Sequence, residues 1–245
     1  MRIRLVLLMS VLLAPLAAGP LAAQHLVPDS LFRGRAPARP VLRVWEAGLF
    51  VGLSAGAMAI DQSVRNDAQE ERTTFRNHLS DVGNAFGNKV YIYPALALGT
   101  LGGKAFGSKG LTRVSWHALE ATALAGAAVE LVKTATGRRR PDVSPGDAFT
   151  FRPITLTDNS FPSGHTAIAF ALATTFSGET HDRWSAAGFY SVAALTGFSR
   201  VNDDKHWLSD TVFGAALGIM SARLVQRWHR PLIIGPGVVA ASLAF

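Results

Sequence analysis

The chemistry-bearing residues of this chain fall in three short strings in its second half. In Ser199-Arg200-Val-Asn-Asp-Asp-Lys-His206-Trp-Leu-Ser-Asp210, a histidine and an aspartate stand four apart. On a helix that spacing puts both side chains on one face, about 6 Å apart at Cβ. Asp210 can then accept the Nδ1–H of His206, fix its tautomer and leave Nε2 bare and nucleophilic. Taken alone, the same spacing also describes an exposed i, i+4 ion pair.

In Pro162-Ser163-Gly164-His165, the serine and glycine precede a helical stretch. Serine is a good helix N-cap, and a helix start offers unpaired N–H groups and a positive dipole end to an anion. Gly164 lets the backbone come close, and His165 would stand beside the anion, able to donate a proton. In Lys133-Thr-Ala-Thr-Gly-Arg-Arg-Arg140-Pro141, Lys133 and Arg140 are fixed cations, and Arg138 or Arg139 reads as a solvated surface charge. Each string has an ordinary structural explanation: a capped helix, a basic loop, a surface pair. Their conjunction does not. Lys133, Arg140 and Arg200 supply three positive groups for one phosphate of charge about −1.5 to −2, enough to neutralise it without a metal. Two histidines then fill the nucleophile and acid roles of phosphoester cleavage.

Lys133…Arg140-Pro141, Pro162-Ser-Gly-His165 and Ser199-Arg200…His206…Asp210 together resemble the three-part signature of the type 2 phosphatidic acid phosphatase superfamily. That superfamily includes bacterial class A acid phosphatases, lipid phosphate phosphatases and vanadium haloperoxidases. No motif position departs from the signature, which spans Lys133 to Asp210. The resemblance implies a helical bundle with the site at one end of its core helices. It implies that His206 attacks phosphorus in line and forms a phosphohistidine, while Asp210 orients His206. His165 would protonate the leaving oxygen and then activate water. Lys133, Arg140, Ser163, the Gly164 N–H and Arg200 would hold the equatorial oxygens. It implies no metal and no cofactor.

The elements that must position these groups are Ala/Gly/Leu-rich segments of helical character: Val44–Ile60, Tyr91–Gly103, Val114–Val132, Thr166–Phe176, Trp184–Phe198 and Thr211–Val225. No alternating run suggests a sheet, so the fold class expected is all-α, a bundle of about six core helices. Residues 61–90 form the most charged stretch and 133–164 a polar connection. The expected organisation is a signal peptide at 1–23, a linker at 24–42, a phosphatase domain at 43–230 and a tail at 231–245. The signal rests on Arg2 and Arg4, the apolar Leu5–Leu16 and small residues before Gln24.

Composition narrows the class. The 245 residues are 49% hydrophobic and 17% charged, which excludes a disordered chain, and mean hydropathy is +0.22, on the greasy side of soluble proteins. There is no cysteine, hence no disulfide, thiolate metal site or cysteine nucleophile. The net charge of +7 favours anionic partners, yet no aromatic-interleaved basic stripe points to nucleic acid. The partner expected is a phosphorylated lipid or small phosphoester. Most helical segments are short for membrane spans and several carry Glu46, His117, Glu120 or Glu130, so embedded and soluble envelope proteins both fit. The location expected is the cell envelope, with the site facing the periplasm. The rival activities are a soluble broad-specificity acid phosphatase, a vanadate-dependent haloperoxidase, and a non-catalytic phosphate- or lipid-binding envelope protein. Outside the three strings, His117 with Glu120 has the spacing of a metal pair lacking a third ligand, and His229 has no evident partner. Asp203 and Asp204 are expected at solvent or paired with Lys205, and Trp207 and Phe161 in aromatic packing.

Overall fold

A computed structural model describes residues 44–229 apart from 156, 158 and 181. The expected signal peptide, linker and C-terminal tail lie outside the described residues. Among the described residues seven helices follow one another: α1 (Val44–Glu70), α2 (Thr74–Gly87), α3 (Lys89–Ala105), α4 (Lys109–Thr136), α5 (Gly164–Thr180), α6 (Arg183–Asn202) and α7 (Leu208–Trp228). Among the described residues there is no sheet strand, only the isolated bridges Arg138–Phe151 and Arg139–Asn159 in the α4–α5 connection. The all-α expectation holds.

The core is built from small residues. Ala121, Ala125 and Val129 of α4 meet Ala167 and Ala171 of α5 and Ala222 and Val225 of α7. Short side chains bring the helix backbones close, and glycine extends this where α7 crosses α5. A Cβ on Gly218 would stand 2.2 Å from the Ala167 carbonyl oxygen, and one on Gly214 2.5 Å from that of Ser163. These contacts fix the entry of α7 against the entry of α5, the two helix starts that carry the predicted histidines.

Antiparallel pairing sets which helix ends share a level. Glu46 near the start of α1 pairs with Arg223 near the end of α7, at 2.9 Å, whereas Asp61 accepts the Ser209 N–H at the start of α7, at 2.8 Å. The end of α1, the start of α5, the end of α6 and the start of α7 therefore lie together.

Two parts of the bundle depart from the expected elements. Helix α1 runs ten residues past Ile60 and α2 occupies the stretch read as polar. Polar and small-residue contacts help hold both. The extension of α1 is held by polar contacts: Arg65 forks onto Asp204 at 2.7 and 2.8 Å, and Gln62 donates to the Pro145 carbonyl. Helix α2 is capped by Thr73, whose Oγ1 accepts the Arg76 N–H, and buries Ser80, Gly83 and Gly87. Hydrophobic periodicity does not register such contacts, although Phe75, Leu79, Val82 and Phe86 do recur in α2 at helical spacing and mark it as a helix.

Gly218→Ala is expected to force α7 away from α5 and destabilise the protein by about 1–3 kcal/mol, as overpacking against backbone does. A thermal unfolding midpoint equal to that of the unsubstituted protein would show that the crossing is looser than described.

Candidate active site

The α4–α5 connection and the last turn of α4 bring the first motif to the site. Helix α4 continues to Thr136, so Lys133 lies within it and not after it. Gly137 ends the helix at φ 57°, and a Cβ there would lie 1.7 Å from the Arg152 carbonyl oxygen, so only glycine fits. The chain then turns back over the bundle end, and Lys133 Nζ donates to the Asn159 carbonyl at 2.9 Å.

The second motif behaves as a helix cap. Ser163 is buried, its Oγ accepts the Thr166 N–H at 3.4 Å and the Thr166 hydroxyl at 2.9 Å, and α5 begins at Gly164. The peptide bond Phe161–Pro162 is cis. The Ser163 N–H donates to the Asp210 carbonyl at 3.0 Å, which ties the second motif to the third.

The third motif is not a face of a helix. His206 precedes α7, which starts at Leu208, and Asp210 sits in its first turn. The Asp210 carboxylate turns back to cap the helix entry: Oδ2 accepts the Trp207 N–H at 2.9 Å and lies 3.4 Å from His206 Nδ1. The Ser160 hydroxyl donates to the same oxygen. Arg138 Nη1 donates to Oδ1 at 2.7 Å. The contact foreseen between His206 and Asp210 thus forms by helix capping.

Electrostatics link the three motifs. Burial pushes His165 down to about 3, and the charges of Arg200, His206, Lys133 and Arg140 each push the same way. Burial likewise pushes His206 down to about 4 against the pull of Asp210. Lys133 falls to about 8, first through burial and then through Arg140. Burial alone would raise the Asp210 carboxyl, but the hydrogen bond with His206 and the Arg138 charge carry it below the usual carboxylate range. Both imidazoles are therefore neutral near pH 7, surrounded by cations. Arg140 Nε and Arg200 Nε are buried and have no partner among the described residues. Buried donors of this kind are rare and call for an acceptor.

Several residues differ from their expected roles. Arg138 is wholly buried, not a solvated charge, and lies over the Trp207 ring at 5.4 Å. The reason is that Asp61 and Asp210 both pair with it. Asp204 pairs with Arg65, and Asp203 lies 3.7 Å from Arg200, while Lys205 pairs with Asp142 instead. Asn84 was missed altogether: its Oδ1 accepts from Arg200 and from the Ser199 hydroxyl, and its amide donates to Asp203. In a stretch read as charged and polar, nothing local set it apart from its polar neighbours. Trp207 and Phe161 are buried, in packing, as expected. His117 and Glu120 do not face one another as a metal pair; His117 lies 3.5 Å from Glu179 and Glu120 2.5 Å from His229, with the two imidazoles stacked.

The sequence profile of the PAP2 superfamily matches residues 115–234, which contain all three motifs. That segment, just under half of the chain, carries the PAP2 superfamily pattern. The lipid A 1-phosphatase of Porphyromonas gingivalis, a PAP2 relative, is 41% identical over 128 residues, which are 49% of this chain and 26% of that one. The chain thus spans about a quarter of the length of this curated relative. Two crystal structures share the PAP2 fold. The transmembrane PAP2-type phosphatidylglycerolphosphate phosphatase of Bacillus subtilis has a TM-score of 0.58 at 21% identity, covering 74% of this chain and 92% of that one. LpxE of Aquifex aeolicus has a TM-score of 0.51 at 19% identity, covering 67% and 93%. Asp61 and Asn84 lie outside the matched PAP2 segment.

An anion bound beside His165 reverses the field that keeps its imidazole neutral and favours the protonated form. Binding of inorganic phosphate is therefore expected to take up a proton, and to tighten as pH falls, more strongly in the native protein than in His165→Asn. Calorimetry in two buffers of different ionisation enthalpy checks this, since the ionisation of phosphate itself cancels in the comparison. Equal proton uptake by both proteins would remove His165 from the anion site.

Proposed function

We propose that the protein is a phosphatase that cleaves phosphomonoesters or pyrophosphates of lipids through a phosphohistidine intermediate. The observation that carries this is the pair of buried, unpartnered Nε–H groups of Arg140 and Arg200 beside two neutral histidines. Such a cradle fits a phosphoryl group: guanidinium forks and Lys133 take the equatorial oxygens, with the Ser163–Gly164 helix start beneath them. These cations supply the charge that phosphoryl transfer demands of its surroundings.

In the proposed reaction, the Nε2 lone pair of His206 attacks phosphorus as the bond to the leaving oxygen breaks. The leaving oxygen takes the proton that His165 acquires when the phosphate dianion binds. His206 is then a phosphorylated imidazolium whose Nδ1–H faces Asp210. Neutral His165 next removes a proton from water, the water oxygen attacks phosphorus and the P–N bond breaks. Phosphate leaves, with His206 neutral and His165 protonated for release. Preorganised donors of this type are each worth about 3–4 kcal/mol of barrier.

A lipid substrate is favoured by the outside of the bundle. Leu49, Leu53 and Ile60 of α1, Leu98 and Leu101 of α3 and Leu131 of α4 are exposed along its flanks. Trp45, Trp184 and Trp228 are exposed at the end opposite the site, as indoles are where a membrane meets water. One described helix, Leu208–Trp228, is long and apolar enough to cross a membrane. The relative named above acts, by its name, on lipid A, which is a phosphorylated lipid. Membrane association in the cell envelope, with the site on the periplasmic side, completes the proposal.

His206→Ala is expected to abolish turnover, by about 10⁴-fold or more, while inorganic phosphate still binds. His165→Ala is expected to retain more activity on aryl than on alkyl phosphates, because aryl leaving groups need little protonation. With an aryl substrate it should accumulate an acid-labile, base-stable phosphoenzyme, since water activation is lost. Rapid quench with labelled substrate measures this; a His206→Ala protein that still turns over excludes the covalent route.

A further inference from the structure

Asp61 lies on α1, far in sequence from the three motifs, yet its side chain is fully buried one residue away from the nucleophile's partner. Its Oδ2 accepts from Arg138 Nη2 at 2.7 Å and from the Ser209 hydroxyl at 2.5 Å, and its Oδ1 accepts the Ser209 N–H at 2.8 Å. Arg138 is equally buried and spends every N–H direction: Nη1 on Asp210 and the Ser209 hydroxyl, Nη2 on Asp61 and the Ala148 carbonyl, Nε on the same carbonyl. The chain is thus Asp61, Arg138, Asp210, His206, with no water-exposed member.

Charge counting gives this order a consequence. Arg138 and Asp210 alone would neutralise one another, and a neutral pair offers little to an imidazolium. With Asp61 present, the buried set carries one net negative charge, and it faces His206. In a site of low polarity one uncompensated charge at hydrogen-bond distance matters far more than in water. We propose that Asp61 is a positioning residue: by neutralising Arg138 it keeps the negative charge of Asp210 available to the His206 imidazolium that forms during phosphoryl transfer. The role rests on His206 being the nucleophile, as proposed above. It adds a residue from outside the matched family segment, contributed by a helix that carries none of the motifs.

Asp61→Asn preserves the shape and removes the charge. Its kcat is expected to fall by about 30-fold or more, with the inhibition constant of inorganic phosphate within about threefold, because the cradle is untouched. Asp61→Glu, which restores the charge, should recover most of kcat even where its melting temperature stays low. The decisive comparison is a cycle with Arg138→Gln. Once position 138 has no charge to neutralise, adding Asp61→Asn should cost kcat less than about threefold further. A purely structural Asp61 gives losses that multiply, and that result overturns the proposal.

Where Asp61→Asn alone does not fold, because it leaves a buried guanidinium short of a partner, Asp61→Asn with Arg138→Gln carries the test. Removing both charges leaves Asp210 free for His206, so kcat within about tenfold of the native protein is expected. A loss as deep as that of Asp210→Asn overturns the proposal. His206→Ala, assayed alongside, separates the two levels. Residual turnover there removes the nucleophile assignment itself, whereas multiplying losses with an inactive His206→Ala remove only the role of Asp61.

Discussion

A guanidinium without access to water has to be matched by carboxylates, and the Arg138 group is matched by two, on different helices. Desolvating an ion costs several kcal/mol, and attraction offsets that only when geometry is tight and every donor is used. Arg138 meets the condition with five N–H directions satisfied. In doing so it joins the second half of α1 to the start of α7 and both to the turn of the α4–α5 connection at Ala148. The arrangement is therefore stiff where the proposed chemistry needs stiffness. Asp210 cannot rotate away from His206 without stripping Arg138 of a partner, the Trp207 N–H of its cap and Ser160 of an acceptor.

What the sequence could reveal follows from what kind of interaction holds each part. The helices with long apolar runs, α4 to α7, stand close to where periodicity puts them, because their core is apolar. The three motifs were legible because each couples a chemistry-bearing side chain to local backbone geometry: Gly137 ends a helix, Ser163 starts one, Asp210 caps one. Even there the physical basis shifted. The spacing of His206 and Asp210 reads as a helix face, whereas the contact arises from a cap, since both capping and facing bring residues a few positions apart together.

The remainder was hidden because buried polar partners leave no periodic trace. Arg138 sits in a run of three arginines, and nothing local distinguishes the one that is wholly enclosed from its neighbours. Its partner Asp61 is more suggestive in retrospect. A single acid directly after the apolar stretch Val44–Ile60 has to be solvated or paired, and the helix continues past it only because it is paired. Asn84 offered no such hint: Phe75, Leu79, Val82 and Phe86 recur around it at helical spacing, which marks a helix but not which of its polar residues is enclosed.

The site holds more positive charge than its own acids balance, and this bears on how folding and function are reconciled. Lys133, Arg140 and Arg200 converge on His165, and among the described residues only Asp203 lies within ion-pair distance of any of the three cations, 3.7 Å from Arg200. The protein tolerates the excess by keeping both imidazoles neutral, so that the cluster carries three charges instead of five. In the proposed reaction the incoming phosphoryl group is the counterion, and its arrival would permit what burial forbids: protonation of one histidine and a developing positive charge on the other. Placing Asp61 and Arg138 behind Asp210, away from the cradle, divides the labour. On the proposed reading of His206 as nucleophile, the negative charge it needs would be stored deep in the bundle, away from the substrate, and would reach the site through the Asp210 carboxylate alone.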